Sequence, residues 1–398
     1  MKFLYFSVTI TFFFLAFTLS EYSGFQTVHF SNPIVYIFLL LVASSLIIKI
    51  KQKHNFIYKN KLFLFISLCC FVVTPIFTFN VGNFNFLNNF KNVFYTAIFL
   101  GSIFMISNLI ITRKDYIKLV RAIFLGNSLY ILPMLAINLN DLFNLNHYLW
   151  LFGDERLERA TYGLRHPNFS GMILLVEFYC LVILIIYERS KKNVLYLMMP
   201  LIVCFIAIIS TGNRAAFFAV LISLIIVSFY YLISLFPKII KYFLITTIIL
   251  VSITYFIWIF NWNEFYNNSL SLIERFNTIN SLMNLIPIYG DFITGIAPIN
   301  QIELDSKILF LRTDNWYIQN IALYGLLAVI IFLCWIIFFA TSIIRQQDSK
   351  NSFIRLSILF SALVYALMEN SLISYGYSWS LFTWIILLST FEKKARYE

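Results

Sequence analysis

The sequence predicts an all-α polytopic membrane protein with about 12 transmembrane helices. Hydrophobic residues make up 61% of the 398 positions, charged residues make up 12%, and the mean hydropathy is +0.83. A soluble domain carries roughly 25% charged residues. Apolar runs of about 20 residues recur along the chain, which is the length of a helix that crosses a bilayer and satisfies its own backbone. We therefore interpret residues 1–398 as one integral membrane domain.

Twelve apolar segments are predicted to span the membrane. They lie near residues 3–19, 33–49, 62–79, 92–112, 119–138, 167–187, 194–210, 215–236, 242–260, 317–344, 353–371 and 377–391. No small-residue cleavage site follows Leu19, so the first segment is interpreted as an uncleaved span rather than a signal peptide. All five cysteines lie inside apolar runs, which favours small buried side chains over disulfides or metal ligands.

The distribution of basic residues predicts the orientation. With the N-terminus in the cytoplasm, 21 of the 29 Lys and Arg fall on the cytoplasmic side, and both termini are cytoplasmic. The net charge of +11 thus reflects topology, and no nucleic-acid partner is predicted. Six of the eight basic residues on the predicted outer side are arginines, whose planar fork of donors suits phosphate or carboxylate. For Arg156 and Arg159, pairing with Asp154, Glu155 and Glu158 explains the arginines equally well.

Two long loops are predicted on the outer, extracytoplasmic side, at residues 139–166 and 261–316. The second contains apolar residues at three- and four-residue steps, which predicts an amphipathic helix. These residues are Leu272, Phe276, Ile279, Met283 and Ile286. Such a helix lies on the membrane surface or packs onto neighbouring spans, and the pattern leaves both arrangements open.

Three polar clusters interrupt the apolar pattern, and all fall on the predicted outer side. They are GLRHPNFSG (163–171), STGNRAAFF (210–218) and RTDNWYIQN (312–320), with Glu369 and Asn370 near the same side. Taken singly, each cluster is explained by helix capping and by arginines that reach the interface. Taken together, they predict a shared polar pocket.

Motifs for other chemistry are missing from the sequence. It contains no P-loop, no paired-cysteine site and no His-Glu-x-x-His. Asp154, Glu155 and Glu158 form at most a weak divalent-ion site, and solvation of an exposed loop is the favoured role. We therefore predict no metal and no cofactor.

At the three clusters the chain resembles the bacterial O-antigen ligase/polymerase superfamily, and within it the Wzy-type O-antigen or capsule polymerases. The positions that carry the resemblance are Arg165, His166, Pro167, Asn168 and Gly171; Ser210, Thr211, Gly212, Asn213, Arg214 and Ala215; and Asp314, Asn315, Tyr317, Ile318, Gly325 and Leu326. The stretch IYGDFITGIAP (288–298) resembles the glycine-containing end of the family's large outer loop. The resemblance extends from about residue 150 to 335, and the first 140 residues match only as generic spans.

This resemblance implies glycosyl transfer at the outer face of the bacterial cytoplasmic (inner) membrane. The donor is a glycan on undecaprenyl pyrophosphate, which a polymerase passes to a new lipid-linked repeat unit and a ligase passes to lipid A-core. Aspartate at 314, where ligases carry histidine, favours the polymerase. Membrane lipid, a chain-length regulator and a separate flippase are the partners that this role implies.

Residue roles follow from that reaction. Arg165, Arg214, Arg312 and Arg275 are predicted to bind the pyrophosphate leaving group in place of a metal ion. Asp314 is the first candidate for the base that activates the acceptor hydroxyl, and His166 is the second. The predicted substrate-binding residues are Asn168, Asn213, Asn315, Tyr317 and Trp316.

A lipid-linked oligosaccharide flippase is the alternative from another class. A flippase is expected to hold charges inside its helices along a central cavity and to show two related halves. This chain concentrates its polar clusters at helix ends and shows no internal duplication. A structural or sensor membrane protein is the remaining alternative.

Overall fold

The computed structural model describes residues 1–23, 31–52, 60–77, 86–152, 159–235, 315–345, 349–369 and 371–389, and seven positions between 277 and 295. Within these ranges the chain forms twelve helices and their connections. The helices are α1 (Lys2–Thr18), α2 (Ser31–Gln52), α3 (Lys61–Leu68, continued by a π-helical turn Cys69–Val73 and by Thr74–Phe77), α4 (Phe86–Leu109), α5 (Arg113–Ile137), α6 (Leu139–Phe143), α7 (Pro167–Tyr187), α8 (Lys191–Ser210), α9 (Arg214–Leu235), α10 (Trp316–Ile344), α11 (Ser349–Met368) and α12 (Ser378–Leu388).

The predicted all-helical class is confirmed over the described residues. Eleven of the twelve predicted spans coincide with helices, and the ninth, 242–260, lies outside the described residues. Five helices are long and apolar enough to cross a membrane, namely α5, α7, α8, α10 and α11. In α1, α2, α3, α4, α9 and α12 the apolar stretch with described side chains is shorter, at 10–17 residues. The number of twelve spans therefore stays a prediction.

The beginning of α5 shows why hydropathy misplaces helix ends. The predicted start at residue 119 is wrong, because the helix begins at Arg113. The side chain of Thr112 accepts a hydrogen bond from the backbone N–H of Asp115 and so caps the first turn. Because this first turn consists of charged and polar residues, a search for apolar segments leaves it out.

Apolar side chains both fill the bundle and cover its outside. Helix α7 is the most buried of the five span-length helices, and it packs against α5, α8, α9 and α12. Helix α1 packs on α5, and α9 packs on α11. Large apolar side chains more than half exposed occur on most of the helices, and examples are Phe6, Ile50, Leu129, Met199, Phe338 and Leu367. Apolar surface of this extent is typical of a protein that faces lipid.

Several helix ends and loops meet at the end of the bundle where α7 begins, which we call the Pro167 end. The backbone N–H of Arg165 bonds to Leu19 O after α1 (3.1 Å), and that of Ala160 bonds to Ser210 O at the end of α8 (3.1 Å). Helix α5 begins at the opposite end, which we call the Arg113 end. The described residues of the three polar clusters all belong to the Pro167 end, the predicted outer side.

The predicted amphipathic helix is described at four positions. Asn277, Asn280 and Asn284 are helical and exposed, whereas Ile286 is helical and buried. Steps of three and four residues place the three asparagines on one polar face, as an amphipathic helix requires. The rest of that predicted helix lies outside the described residues.

The glycine-containing stretch that follows is attached to a kink in α10. Gly325 has a φ of 85°, which interrupts the helix. The freed backbone N–H of Leu326 donates to Phe292 O at 3.0 Å. A Cβ on Gly295 would lie 2.5 Å from the backbone nitrogen of Gly325, so glycine at 295 permits the close approach.

Candidate functional site

Backbone hydrogen bonds fix the loop that precedes α7. The carbonyl of Gly163 accepts from the hydroxyl of Tyr130 on α5 (2.9 Å) and from the backbone N–H of Glu21 (3.0 Å). Tyr162 takes a positive φ of 46°, and its hydroxyl lies 2.5 Å from that of Ser210. The loop therefore joins the ends of α1, α5 and α8 before it enters α7.

His166, Pro167 and Asn168 form the beginning of α7. Pro167 occupies the first helical position, where its missing N–H costs no helical hydrogen bond. The exposed His166 caps the helix, because its Nδ1 accepts from the backbone N–H of Asn168 at 3.2 Å. A neutral imidazole that accepts at Nδ1 carries its proton on Nε2. Nδ1 of His166 is therefore engaged by the helix cap, and the role of His166 as a base stays a prediction.

Arg159 connects the loop to the turn between α8 and α9. Its Nε donates to Thr211 O at 2.9 Å, and its Nη2 donates to Gly212 O at 3.1 Å. The same Nη2 donates to the side-chain Oδ1 of Asn168 at 2.7 Å. One guanidinium thus holds the first and second polar clusters of the sequence together.

Asn168 extends this network to the end of α11. Its Nδ2 donates to a carboxylate oxygen of Glu369 at 2.6 Å, and its backbone carbonyl accepts from Asn213 Nδ2 at 3.0 Å. We call Arg159, Asn168, Thr211, Asn213 and Glu369 the Arg159 cluster. It links four separate parts of the chain through direct hydrogen bonds.

Close packing of two glycines makes this geometry possible. A Cβ on Gly171 would lie 2.6 Å from both Cβ and Nδ2 of Asn213. Gly212 has a φ of 58°, and a Cβ there would lie 2.9 Å from Arg159 Nε. Asn213 is 1% exposed, and its Oδ1 accepts from the backbone N–H of Ala216 at 3.0 Å. Asn213 therefore caps α9 and positions Asn168, and this buried position argues against direct substrate contact.

Of the predicted pyrophosphate-binding arginines, two are described. Arg165 contacts the end of α1, with Nε donating to Ser20 O and Nη2 donating to Ser23 Oγ, both at 3.1 Å. Arg214 is the first residue of α9 and is half-buried. In the sequence it directly follows Asn213 of the Arg159 cluster. Arg312 and Arg275 lie outside the described residues, as does Asp314. The predicted roles of all five stay predictions.

The third polar cluster meets the bundle close to Glu369. Asn315 caps α10 by accepting from the backbone N–H of Ile318 (3.1 Å), and its Nδ2 donates to Leu367 O (3.0 Å). The hydroxyl of half-buried Tyr317 donates to Leu363 O at 3.0 Å. Asn315 therefore bonds to a residue that lies two positions before Glu369, the carboxylate of the Arg159 cluster.

Trp316 occupies a different environment from the one predicted. Its side chain is 0% exposed and packs edge-on against Phe71 and Tyr317. No face of the indole is open to a sugar ring, so this burial argues against the predicted substrate-binding role. Burial against α3 and within α10 gives Trp316 a packing role instead.

The sequence leaves open whether Arg159 pairs with acids of its own loop, and those acids lie outside the described residues. Its described hydrogen bonds are to carbonyl and amide oxygens of the first two polar clusters. The sequence signal for this role is an arginine retained against the positive-inside bias, next to the first polar cluster. Among the described residues, no group of three or more His, Cys, Asp or Glu side chains is arranged to hold a metal ion.

Comparison of the chain with protein-family models finds no match, and comparison with curated proteins finds no significant match.

Proposed function

We propose that the protein is a membrane glycosyltransferase that polymerises undecaprenyl-pyrophosphate-linked oligosaccharide repeat units. In this proposal the chain spans the bacterial cytoplasmic membrane twelve times with both termini in the cytoplasm, and the Pro167 end faces outward. The supporting observation is the Arg159 cluster, in which one guanidinium links residues of the two arginine-bearing motifs and Asn168 links them to a carboxylate.

The charge arrangement suits a pyrophosphate leaving group. The three contacts described for Arg159 are to two carbonyls and one amide oxygen, which orient the guanidinium at the meeting point of two motifs. Arg214 follows the same turn and begins α9. When the bond between sugar and pyrophosphate breaks, negative charge grows on the leaving oxygen, and preorganised cationic donors stabilise that charge. Arg159 and Arg214 supply such donors in this proposal.

The acceptor hydroxyl requires a base near the arginines. Glu369 is the carboxylate of the Arg159 cluster, half-buried and oriented by Asn168. Asp314, the sequence-based candidate, directly precedes Asn315, which bonds to Leu367 O. Both carboxylates are therefore candidates, and single amide substitutions separate them because each keeps the side-chain size and removes the basic oxygen.

The experiment is complementation of a gene deletion in the native host, with the surface polysaccharide sized on a gel. We expect Arg159→Ala to abolish long chains while single repeat units still reach the surface. Of Asp314→Asn and Glu369→Gln, the variant that removes the catalytic base should give the same result, and the other should keep long chains. Arg345→Ala, an exposed arginine at the Arg113 end, is the matched control and should keep wild-type lengths.

Other outcomes identify other functions. Wild-type chain lengths with Arg159→Ala, at normal protein abundance, would contradict the proposed site. Accumulation of lipid-linked polymer in the deletion strain would identify a ligase that transfers glycan to lipid A-core. Lipid-linked single units trapped on the cytoplasmic side would identify a flippase.

A further inference from the structure

A basic pocket lies at the Arg113 end, on the opposite side of the bundle from the Arg159 cluster. Its volume is about 790 Å³, and its walls are the first turns of α5, the last turn of α7 and the first turns of α8. Five basic side chains line it: Arg113, Lys114, Lys118, Arg121 and Arg189. Glu188 is the one acidic lining residue, so the lining carries a net positive charge of four.

The pocket is built from ordered groups. The guanidinium carbon of Arg113 lies 4.6 Å from the ring centroid of the buried Tyr187, which fixes this arginine against the pocket wall. Backbone N–H groups of Ser190 and Arg189 donate to the carboxylate of Glu188 and lower its pKa, with a smaller contribution from Arg121. Glu188 therefore stays ionised and engaged with the α7–α8 turn.

Apolar side chains continue from the pocket along two helices toward the bundle centre. On α5, Leu125, Leu129 and Leu132 are 54–59% exposed and follow Arg121 on the same helical face. On α8, Tyr196 lines the pocket and Met199 follows it three residues later on the same helical face, and these side chains are 64% and 66% exposed. At 1.5 Å per residue, the α5 stripe extends about 16 Å below Arg121. A cationic pocket thus opens onto two lipid-facing apolar surfaces.

We propose that this pocket binds the phosphate headgroup of an anionic phospholipid, with its acyl chains lying on the apolar faces of α5 and α8. The basic side chains match a phosphate in charge, and arginine matches it in hydrogen-bond geometry. A free phosphate ion uses only the basic side chains. A phospholipid also covers the exposed leucines and Met199, and this joint fit favours the lipid. The inference is independent of the glycosyltransferase proposal.

The test measures lipid retention by the purified full-length protein in native mass spectrometry. The probes are phosphatidylglycerol, phosphatidylcholine and inorganic phosphate. The variant carries Lys118→Gln, Arg121→Gln and Arg189→Gln, all exposed side chains whose replacement leaves the core untouched. The matched control carries Lys2→Gln, Lys61→Gln and Arg345→Gln, which remove the same charge at the same end outside the pocket.

We expect the wild type and the control to retain phosphatidylglycerol in preference to phosphatidylcholine, and the pocket variant to bind phosphatidylglycerol at least about tenfold more weakly. Equal weakening in the control would show diffuse surface attraction and overturn the proposal. Displacement of phosphatidylglycerol by millimolar inorganic phosphate would show that the pocket takes a free anion, which also overturns it. Equal retention of phosphatidylglycerol and phosphatidylcholine by the wild type would also overturn the proposal.

Discussion

The hydrogen bond between Arg159 and Asn168 gives the sharpest test of the site geometry. We consider Arg159→Ala, Asn168→Ala and the double variant. Arg159 makes three described hydrogen bonds, and a bond to a charged group contributes about 1.5–3 kcal/mol. Because the guanidinium is half-buried and water replaces part of the loss, we expect Arg159→Ala to cost about 2–4 kcal/mol rather than the full sum.

The pair itself is expected to contribute a coupling of about 1–2 kcal/mol, since its Nη2–Oδ1 distance is 2.7 Å. The assay is thermal unfolding of the four proteins in one detergent at one scan rate, where 1 kcal/mol corresponds to about 2 °C or less for a chain of this size. Arg159→Ala should lower the Tm by up to about 8 °C, and the double variant should be less destabilised than the sum of the singles. Strict additivity, or an unchanged Tm for Arg159→Ala, would refute the described network.

Two further predictions concern packing and pH. Gly171→Ala should destabilise the protein by about 1–3 kcal/mol, because its Cβ would lie 2.6 Å from Asn213, whereas Gly101→Ala, with nothing within 4 Å of the new Cβ, should be neutral or stabilising in the same unfolding assay. The pKa of the Glu188 carboxyl is lowered in the folded protein by backbone N–H groups of Ser190 and Arg189, so its stabilising effect is present above its unfolded pKa and is lost as the pH falls through the folded value. Glu188→Gln should therefore lower the Tm at pH 7 and converge with the wild type at strongly acidic pH, and a difference independent of pH would contradict this assignment.

The opening of α7 illustrates which parts of the site the sequence predicts well. The predicted span 167–187 has the same bounds as α7, because Pro167 and the capping His166 mark its first turn and an apolar run defines its length. The turn between α8 and α9 was likewise predicted, since Gly212 and Asn213 interrupt two apolar runs. Local chain chemistry decides such features, and local chemistry is written in consecutive residues.

Contacts between side chains on different helices are not predicted by neighbouring residues in this way. Arg159 and Arg165 are six residues apart and have the same side chain, yet one bonds to the α8–α9 turn and the other to the end of α1. Gly171 reads as an ordinary small residue until Asn213 is seen against it. Trp316 reads as an interfacial aromatic until α3 covers it. None of these contacts is encoded by spacing along the chain.

Arg355 shows the same division on the opposite side of the molecule. It lies at the cytoplasmic beginning of the predicted span 353–371, where an exposed arginine is expected, but the side chain is 0% exposed and its Nε donates to Leu387 O on α12 at 2.9 Å. The sequence alone gives the charge of Arg355 and its approximate depth in the membrane. The acceptor of its hydrogen bond, Leu387, lies 32 residues along the chain on another helix, and only the tertiary structure identifies it.

The sequence by itself determined the helical class, nearly all helix positions and the collection of polar residues at helix ends, because hydropathy and capping act over neighbouring residues. The tertiary structure decided which arginine joins the motifs, which aromatic side chain is buried and where a basic pocket opens, because these depend on which helices pack side by side. Packing of helices depends on the fit of side chains from distant segments, and that fit exists only once the bundle has formed.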